Sequence, residues 1–483
     1  MSEKIPVKQI EPGAQDLETY SSNAAQDGVT KTVELYASRK KIYVKKIKGL
    51  FQGIRRYSLW ALMIMYFSIC WISVNGQQIV HFDLPARKFH LYGITFWPQD
   101  FFLLAVALII CAYGLFFITT LFGRVWCGYT CPQTAWTFIF MWIEEKVEGS
   151  RNQRIKLDKA SNDISKVSKK ALKHFLWLFV AFATGLTFVG YFYPIRELVP
   201  DLFGLAANGW AYFWIGFFTV ATYLNAGWLR EQVCLYMCPY ARFQSVMFDP
   251  DTLIVSYDKG RGDPRGSRKR NADYKEQGLG DCVDCGMCVQ VCPTGIDIRD
   301  GLQYECIGCA LCIDACDSIM DKMNYPKGLI SYTTEQRLEG KSSHILRPKS
   351  IAYAALLVIM TGTFLMHILN RVPLEIDVIR DRGSLFQLNG LGEIENSYTV
   401  KVMNMTDENQ RMTLEVSGFD GLKIGTTSEF EVVSGEVYNL PTIVEAKPSD
   451  LPGSSNEINF TVRSIDNPEL EAYSESRFLG SKE

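Results

Sequence analysis

The sequence predicts a multi-domain membrane protein, with five transmembrane helices, an α+β cysteine-rich insert before the fifth, and an all-β sandwich at the C-terminus. Three observations carry that expectation. Five apolar runs approach the roughly 20 residues that a helix needs to cross a bilayer. All fourteen cysteines lie between Cys70 and Cys316, eight of them in two tight runs. The stretch from 373 to 483 has neither cysteine nor histidine and consists of short Val-, Ile-, Phe- and Thr-rich segments between turn residues.

The apolar runs fall near 58–78, 100–121, 174–193, 206–226 and 351–370. The first, SLWALMIMYFSICWISV, sits between basic residues and a polar loop, and the last, IAYAALLVIMTGTFLMHIL, ends at Asn370 and Arg371. Lysine and arginine crowd the segment from Arg39 to Arg56 and the loop from Arg151 to Lys173. The opposite loops hold only Arg87 and Lys88 in one and Arg196 in the other. The positive-inside bias therefore places both the N-terminus and the cysteine-rich insert in the cytoplasm, and the C-terminal domain outside. The expected order is a basic N-terminal segment (1–57), a four-helix membrane domain (58–250), a cytoplasmic insert (251–348), a fifth helix (349–372) and an external sandwich (373–483).

Composition bounds the function. With 483 residues and a net charge of −2 the chain is too neutral for nucleic acid to be a main partner. The mean hydropathy of +0.01 averages apolar runs with soluble segments. The cysteine distribution is unlike a secreted disulfide scaffold and points to a reducing compartment. No cleavable signal peptide is expected in the polar, basic first 57 residues. Residues 1 to about 34 read as a disordered tail.

A weak repeat runs through the membrane part. The first two spans end in Trp126-Cys127-x3-Cys131-Pro132, and the next two in Cys234-x3-Cys238-Pro239. Two helices and a cysteine pair thus recur in one orientation, so both motifs belong on the cytoplasmic side, where they could meet. The apolar stretches behind the prolines, QTAWTFIFMWIEE and YARFQSVMF, are too short to span and suit interfacial or re-entrant helices. Proline favours the first helical position, which puts Cys131 and Cys238 at helix N-termini. The dipole there lowers a thiol's pKa, so the motif is expected to make a thiolate.

The insert carries the strongest chemical signal. Its spacing is Cys282-x2-Cys285-x2-Cys288-x3-Cys292-Pro293, then Cys306-x2-Cys309-x2-Cys312-x3-Cys316. This is the two-cluster ferredoxin run, in which the fourth cysteine of each run ligates the other cluster. One [4Fe–4S] cluster should use Cys282, Cys285, Cys288 and Cys316, and the second Cys306, Cys309, Cys312 and Cys292. Structural zinc is the alternative, with a poorer match in spacing. Asp317 stands where the first run has Pro293, which changes a turn but removes no ligand. Two such clusters form an electron wire.

Three readings of Cys127, Cys131, Cys234 and Cys238 stay open on spacing alone. They are buried structural thiols, ligands of a further redox centre such as another iron–sulfur cluster, or soft thiolate ligands for copper. No Gly-rich nucleotide fingerprint opens a βαβ pattern, so the electron donor should be another protein or a quinol.

In the C-terminal stretch, YTVKVMNMT, QRMTLEVSG, SEFEVVSG and NEINFTVRS predict strands of an immunoglobulin-like or cupredoxin-like sandwich that carries no ordinary copper site and docks a partner.

Tandem Cys-x3-Cys-Pro motifs, a two-cluster ferredoxin insert, a fifth span and a β-sandwich tail, in this order from about residue 35 to the end, resemble the CcoG/FixG/RdxA accessory proteins. The resemblance implies a bacterial inner-membrane protein serving assembly of the cbb3-type cytochrome c oxidase. It implies a cupric reductase with two [4Fe–4S] clusters, with copper as substrate or bound ion at Cys127 with Cys131 and Cys234 with Cys238. Its implied partners are oxidase assembly factors, copper chaperones or transporters, and an unidentified electron donor, besides the lipid bilayer. Two other functions compete: an electron-transfer subunit linking the quinone pool or a cytoplasmic donor to a periplasmic reductase, and a non-redox assembly scaffold.

Lesser candidates have plainer readings. His81 and His90 lie in the first outer loop, where a quinone or metal site competes with an ordinary surface. His174 and His367 fall at span ends, Met63 and Met65 read as packing, and so do Cys70 and Cys111. Arg124 and Arg230 precede the two motifs and either snorkel at the interface or hold a thiolate's charge. The RGSRKR stretch at 265–270 reads as a solvated or lipid-facing linker, or else as a site for an acidic partner.

Overall fold

The computed structural model describes residues 41–481 apart from 75, 271–272, 345, 371–372, 382, 407 and 427. The expected tail, and most of the basic segment 1–57, lie outside the described residues. The chain divides into two compact units, Met1–Met360 and Thr361–Glu483.

In the first unit, α1 (Leu50–Ile69) begins before the basic pair Arg55 and Arg56 and gives way to a small hairpin, Ser73–Val74 with Gln77–Gln78. The expected span at 58–78 is therefore displaced. Arg55 belongs inside the helix because its side chain is buried and Nε donates to the Gly128 carbonyl at 3.0 Å. The polar stretch that follows folds into three antiparallel strands, β1 (Val80–Asp83), β2 (Lys88–Leu91) and β3 (Ile94–Phe96). Next come α2 (Phe101–Phe122), the short α3 (Val125–Tyr129) and α4 (Pro132–Glu148). Then α5 (Ile164–Val189) begins at Asp163, whose side chain accepts the Ile164 N–H. It is followed by α6 (Gly209–Thr222). The chain continues past α6 in π-helical form over Tyr223–Leu229 and again over Val233–Met237, and α7 (Pro239–Met247) follows.

Three helices among the described residues are long and apolar enough to cross a membrane: α2, α5 and a last helix, Pro348–Leu369. At 22 residues, α2 reaches about 33 Å at 1.5 Å per residue, enough for a hydrocarbon core of about 30 Å. The expected count of five is thus met in part. The helix α1 carries two arginines, and α6 stops at 14 residues where the π-helical stretch takes over. Leu59 and Met63 of α1, Ala135, Phe138, Phe140 and Ile143 of α4, and Trp177 and Ala181 of α5 make one core. A side-chain carbon on Gly185 would meet the Ile215 carbonyl at 2.7 Å, so α5 and α6 approach as closely as a small residue allows. The stretch behind Pro132, expected as an interfacial or re-entrant helix, packs in the core of this unit: Phe140 is 0% exposed.

The cysteine-rich segment belongs to the same unit. A two-stranded ribbon, β4 (Ile254–Tyr257) and β5 (Ile330–Thr333), backs two helices, α8 (Met287–Val291) and α9 (Leu311–Met323). Proline after Cys292 stops α8 after five residues. Asp317 lets α9 run on for 13 residues, and its carboxylate accepts the Gly328 N–H at 3.0 Å.

The second unit is an antiparallel sandwich. One sheet runs in the order Lys423–Ile424, Val437–Ala446, Ile394–Asn404 and Leu374–Arg380, with Gln387–Leu388 also on Ile394–Asn404. The other runs Glu429–Val432, Gln410–Ser417, Ser455–Ser464 and Glu471–Leu479. Alternate residues turn inward, with Val400, Val402, Leu414, Val444, Phe460 and Phe478 in the core. Pro441 is tolerated inside its strand because Lys423–Ile424 covers only Val444 and Glu445 on that side.

Candidate functional site

The two cysteine runs build two neighbouring cavities. Cys282, Cys285 and Cys288 line one together with Cys316. Cys306, Cys309 and Cys312 line the other together with Cys292. Cys288 also borders the second cavity, so one wall serves both. The fourth cysteine of each run has crossed to the other run's cavity. The backbone makes this possible by matching turns: Asp284 and Gly308, then Gly286 and Ala310, all have positive φ between 48° and 64°. Asp284 and Ala310 hold that conformation at a cost that other residues rarely meet outside functional loops.

Burial pushes the Cys288, Cys306 and Cys316 thiols up to about 12, so loading a metal centre there would release protons. Thiols arranged four to a cavity, with Ile, Leu and Met filling the remaining walls, fit a [4Fe–4S] cluster in each. The two sites differ in access. Cys285 of the first is exposed, whereas Cys309 of the second is buried against Ile307 and Leu311, with Cys127 packed on the same cluster.

The Cys-x3-Cys-Pro motifs bracket two helix starts. Cys131 is the N-cap of α4 and Cys238 that of α7, each with proline at the first position. The first cysteines are set differently: Cys127 lies on α3, while Cys234 lies in the π-helical turn. Burial pushes both Cys127 and Cys234 up to about 12, against a thiolate at either. Cys127 and Cys234 each lie within electrostatic reach of the other three thiols.

Side chains that spacing did not flag organise this region. Gln244, fully buried on α7, accepts the Cys127 Sγ–H at 3.3 Å, and its amide donates to Thr119 on α2. Thr134 donates to the Cys127 carbonyl at 2.6 Å. Gln133 donates to the carbonyls of Asn225 (2.9 Å) and Arg230 (3.3 Å), tying one repeat to the other. Their only sequence signal is a polar residue in an apolar stretch.

Where motif and insert meet, no side chain intervenes. A side-chain carbon on Gly128 would lie 2.9 Å from the Cys309 Cα and 3.1 Å from the Ile307 carbonyl. Tyr129 donates to the Cys309 carbonyl at 3.3 Å and Tyr332 to that of Gly308 at 2.6 Å.

The lesser candidates settle into their surroundings. His81 and His90 stack as cross-strand partners, rings 6.0 Å apart. His174 bonds the Tyr223 hydroxyl at 2.8 Å, and His367 is exposed on its helix. Met63 and Cys70 are core, and Met65 and Cys111 are exposed on helix surfaces. Arg230 pairs with Glu144 and does not reach solvent. Within 265–270, Arg268 donates to the Gly280 carbonyl at 2.7 Å and stacks on Tyr274, so part of that stretch packs beside the first cavity.

Two four-cysteine cavities in a ferredoxin repeat, built into the same unit as apolar membrane helices, define a membrane iron–sulfur electron-transfer protein, an oxidoreductase. Family models agree: a "4Fe-4S dicluster domain" matches residues 229–335, a "4Fe-4S binding domain" 104–148, and the "IG-like fold at C-terminal of FixG" 364–481. The chain is 37% identical to the nitrogen fixation protein FixG of Rhizobium meliloti, over 80% of each chain. It is 38% identical to proteins RdxB and RdxA of Cereibacter sphaeroides, over 80% of this chain and 84% and 85% of theirs. A crystal structure of a FixG-related protein from Vibrio parahaemolyticus aligns with 22% of this chain and 95% of its own, at 36% identity and TM-score 0.21. The chain belongs to the FixG/RdxA family.

Proposed function

We propose that this protein passes electrons singly from a donor to the first cavity, then to the second, then to the Cys-x3-Cys-Pro pairs, where Cu(II) gains one electron and leaves as Cu(I). In this reading the product serves assembly of a cbb3-type oxidase through copper chaperones or transporters. The donor docks on the cytoplasmic side, five segments cross the inner membrane, and the sandwich lies in the periplasm. When bound, the two [4Fe–4S] clusters supply one-electron carriers in series. Cys282, Cys285, Cys288 and Cys316 would hold the first, and Cys306, Cys309, Cys312 and Cys292 the second.

The observation that carries the reading is the contact of Gly128 with Cys309. It brings the backbone beside Cys127 against the loop of the second site without an insulating side chain. The rest follows from what the residues do. Cys285 gives the first site an open edge for a donor, and Ile307 and Leu311 keep water from the second. Cys127, Cys131, Cys234 and Cys238 offer soft sulfur, which favours Cu(I) over Cu(II) and so draws the reduction forward.

A second reading has its own support. The 4Fe-4S binding model covers Cys127 and Cys131, and the dicluster model begins ahead of Cys234, so the four cysteines could hold a third cluster. Iron content separates the two, at about eight iron atoms per chain for two clusters and about twelve for three. The functional test is Cu(I) captured by a chelator from Cu(II) and anaerobically reduced protein. Cys127→Ser/Cys131→Ser should keep about eight iron atoms and lose Cu(I) formation. Equal Cu(I) from both proteins would remove copper reduction from these residues.

A further inference from the structure

The arginines ahead of the two motifs are treated differently by the fold. Arg230 and Arg124 are each 7% exposed. Arg230 has a carboxylate, Glu144, at 2.9 Å. For Arg124, no carboxylate lies within ion-pair distance among the described residues. Its Nη1 donates to the Tyr304 carbonyl and, at 3.2 Å, to that of Cys306. Its Nη2 donates to the Ala241 carbonyl, and Nε is buried with no partner. The rings of Tyr304 and Phe248 lie 5.1 and 5.9 Å from the guanidinium carbon. A side-chain carbon on Gly308 would touch the Arg124 backbone at 3.1 Å, so the loop of the second site is packed directly on this residue.

A buried guanidinium with carbonyl dipoles and two aromatic rings around it, but no anion, is an incomplete arrangement. Desolvating a cation is costly unless an anion faces it. The second cysteine set can supply that anion: the Arg124 charge is already felt at Cys306, whose carbonyl it holds. Four thiolates around an iron–sulfur core carry net negative charge, and reduction adds one more unit. Arginine cannot shed its proton, so its charge persists through every turnover.

We propose that Arg124 is the counter-cation of the second cluster site, favouring the reduced state there and so drawing electrons from the exposed first site to the one beside Cys127. The inference rests on the iron–sulfur reading and is independent of copper. Arg124 is a positioning residue that acts through the cluster's charge. Its neighbour Cys127 shares the field: burial dominates that thiol, and Arg124 works in the opposite direction.

The test is a dithionite titration of the full-length protein in detergent, monitored by electron paramagnetic resonance, with iron content measured alongside. Arg124→Gln and Arg124→Met remove the charge, and Arg124→Lys keeps it while losing the fork. The expected result is that both neutral variants weaken reduction of the second cluster about tenfold, about 59 mV for one electron. Arg124→Lys should stay near wild type, and the first cluster should not move in any variant. Loss of the second cluster in the neutral variants alone, with Arg124→Lys retaining it at the wild-type potential, supports the proposal equally. Unchanged potentials throughout, or an equal fall or loss in all three variants, would overturn it. Wild-type protein with no second cluster would instead overturn the iron–sulfur assignment beneath it.

Discussion

Gly128 and Cys309 meet backbone to backbone: a methyl group on the first would stand 2.9 Å from the Cα of the second. The contact joins two parts of the sequence that share no motif. It puts the membrane-side cysteine pair and the buried cysteine set within one packed region.

Gly128→Ala tests how much that approach matters. Neither partner is the end of a flexible side chain, so the clash must be relieved by moving α3 or the loop, at about 1–3 kcal/mol. A lower unfolding temperature in detergent and slower electron transfer to copper are expected. Gly53→Ala on α1 is the control, since no atom lies within 4 Å of a side-chain carbon there. Equal stability of the two variants would contradict the contact.

Crossed ligation makes a paired prediction. Cys316→Ser should damage the cluster of the run that starts at Cys282, and Cys292→Ser that of the run that starts at Cys306. Electron paramagnetic resonance of each single variant decides, with the damaged signal identified against Cys285→Ser and Cys309→Ser. If Cys316→Ser matched Cys309→Ser instead, each run would be serving its own cluster.

Asp314 fastens the cysteine-rich segment to the first membrane-side helix. Its carboxylate accepts the N–H groups of Phe51 (3.2 Å) and Gln52 (2.7 Å) at the start of α1. Asp314→Ala leaves that helix end uncapped and should cost about 0.5–2 kcal/mol, read as a lower unfolding temperature. Asp314→Asn, which can still accept, should recover most of it.

Glu144 is the acidic centre of a buried ion network. It is 0% exposed, 2.9 Å from Arg230 and 3.3 Å from Arg154. Burial alone would raise its pKa, but Arg230, Arg154, Lys41 and Lys173 outweigh it and hold the carboxyl below the usual range. The folded value is depressed, so its stabilisation is complete above the unfolded value of about 4.3 and is lost as pH falls through the folded one. Glu144→Ala strands two buried arginines and should cost about 3–5 kcal/mol near neutrality. Thermal unfolding across pH should show the gap between variant and wild type closing only in acid.

Much of this was legible in the sequence, for physical reasons that differ by element. The ferredoxin spacing determines which cysteines can share a cavity, because ligands on short turns have few alternatives. Prolines 132 and 239 mark helix starts, because a residue without an N–H fits the first turn. The span at 58–78 was misplaced because hydropathy treats Arg55 as a flank, whereas folding buries it on Gly128. The π-helical turns around Asn225 and Cys234 left no periodic signal. Gln244 and the Glu144–Arg230 pair stayed hidden because the partners Cys127 and Arg230 lie 117 and 86 residues away. The strands Leu374–Arg380 and Glu471–Leu479 were missed through their charged outward faces, and Val437–Ala446 through its internal proline.

The most direct measurement is the anaerobic reoxidation of dithionite-reduced protein on rapid mixing with Cu(II), followed by visible absorbance of the clusters. It should be run on wild type and on Cys127→Ser/Cys131→Ser with matched iron content. The account predicts fast reoxidation of wild type with one Cu(I) formed per electron lost, and a rate at least about tenfold lower in the variant. Identical rates would mean that electrons reach copper without passing the pair behind Gly128, and the proposed route would be wrong.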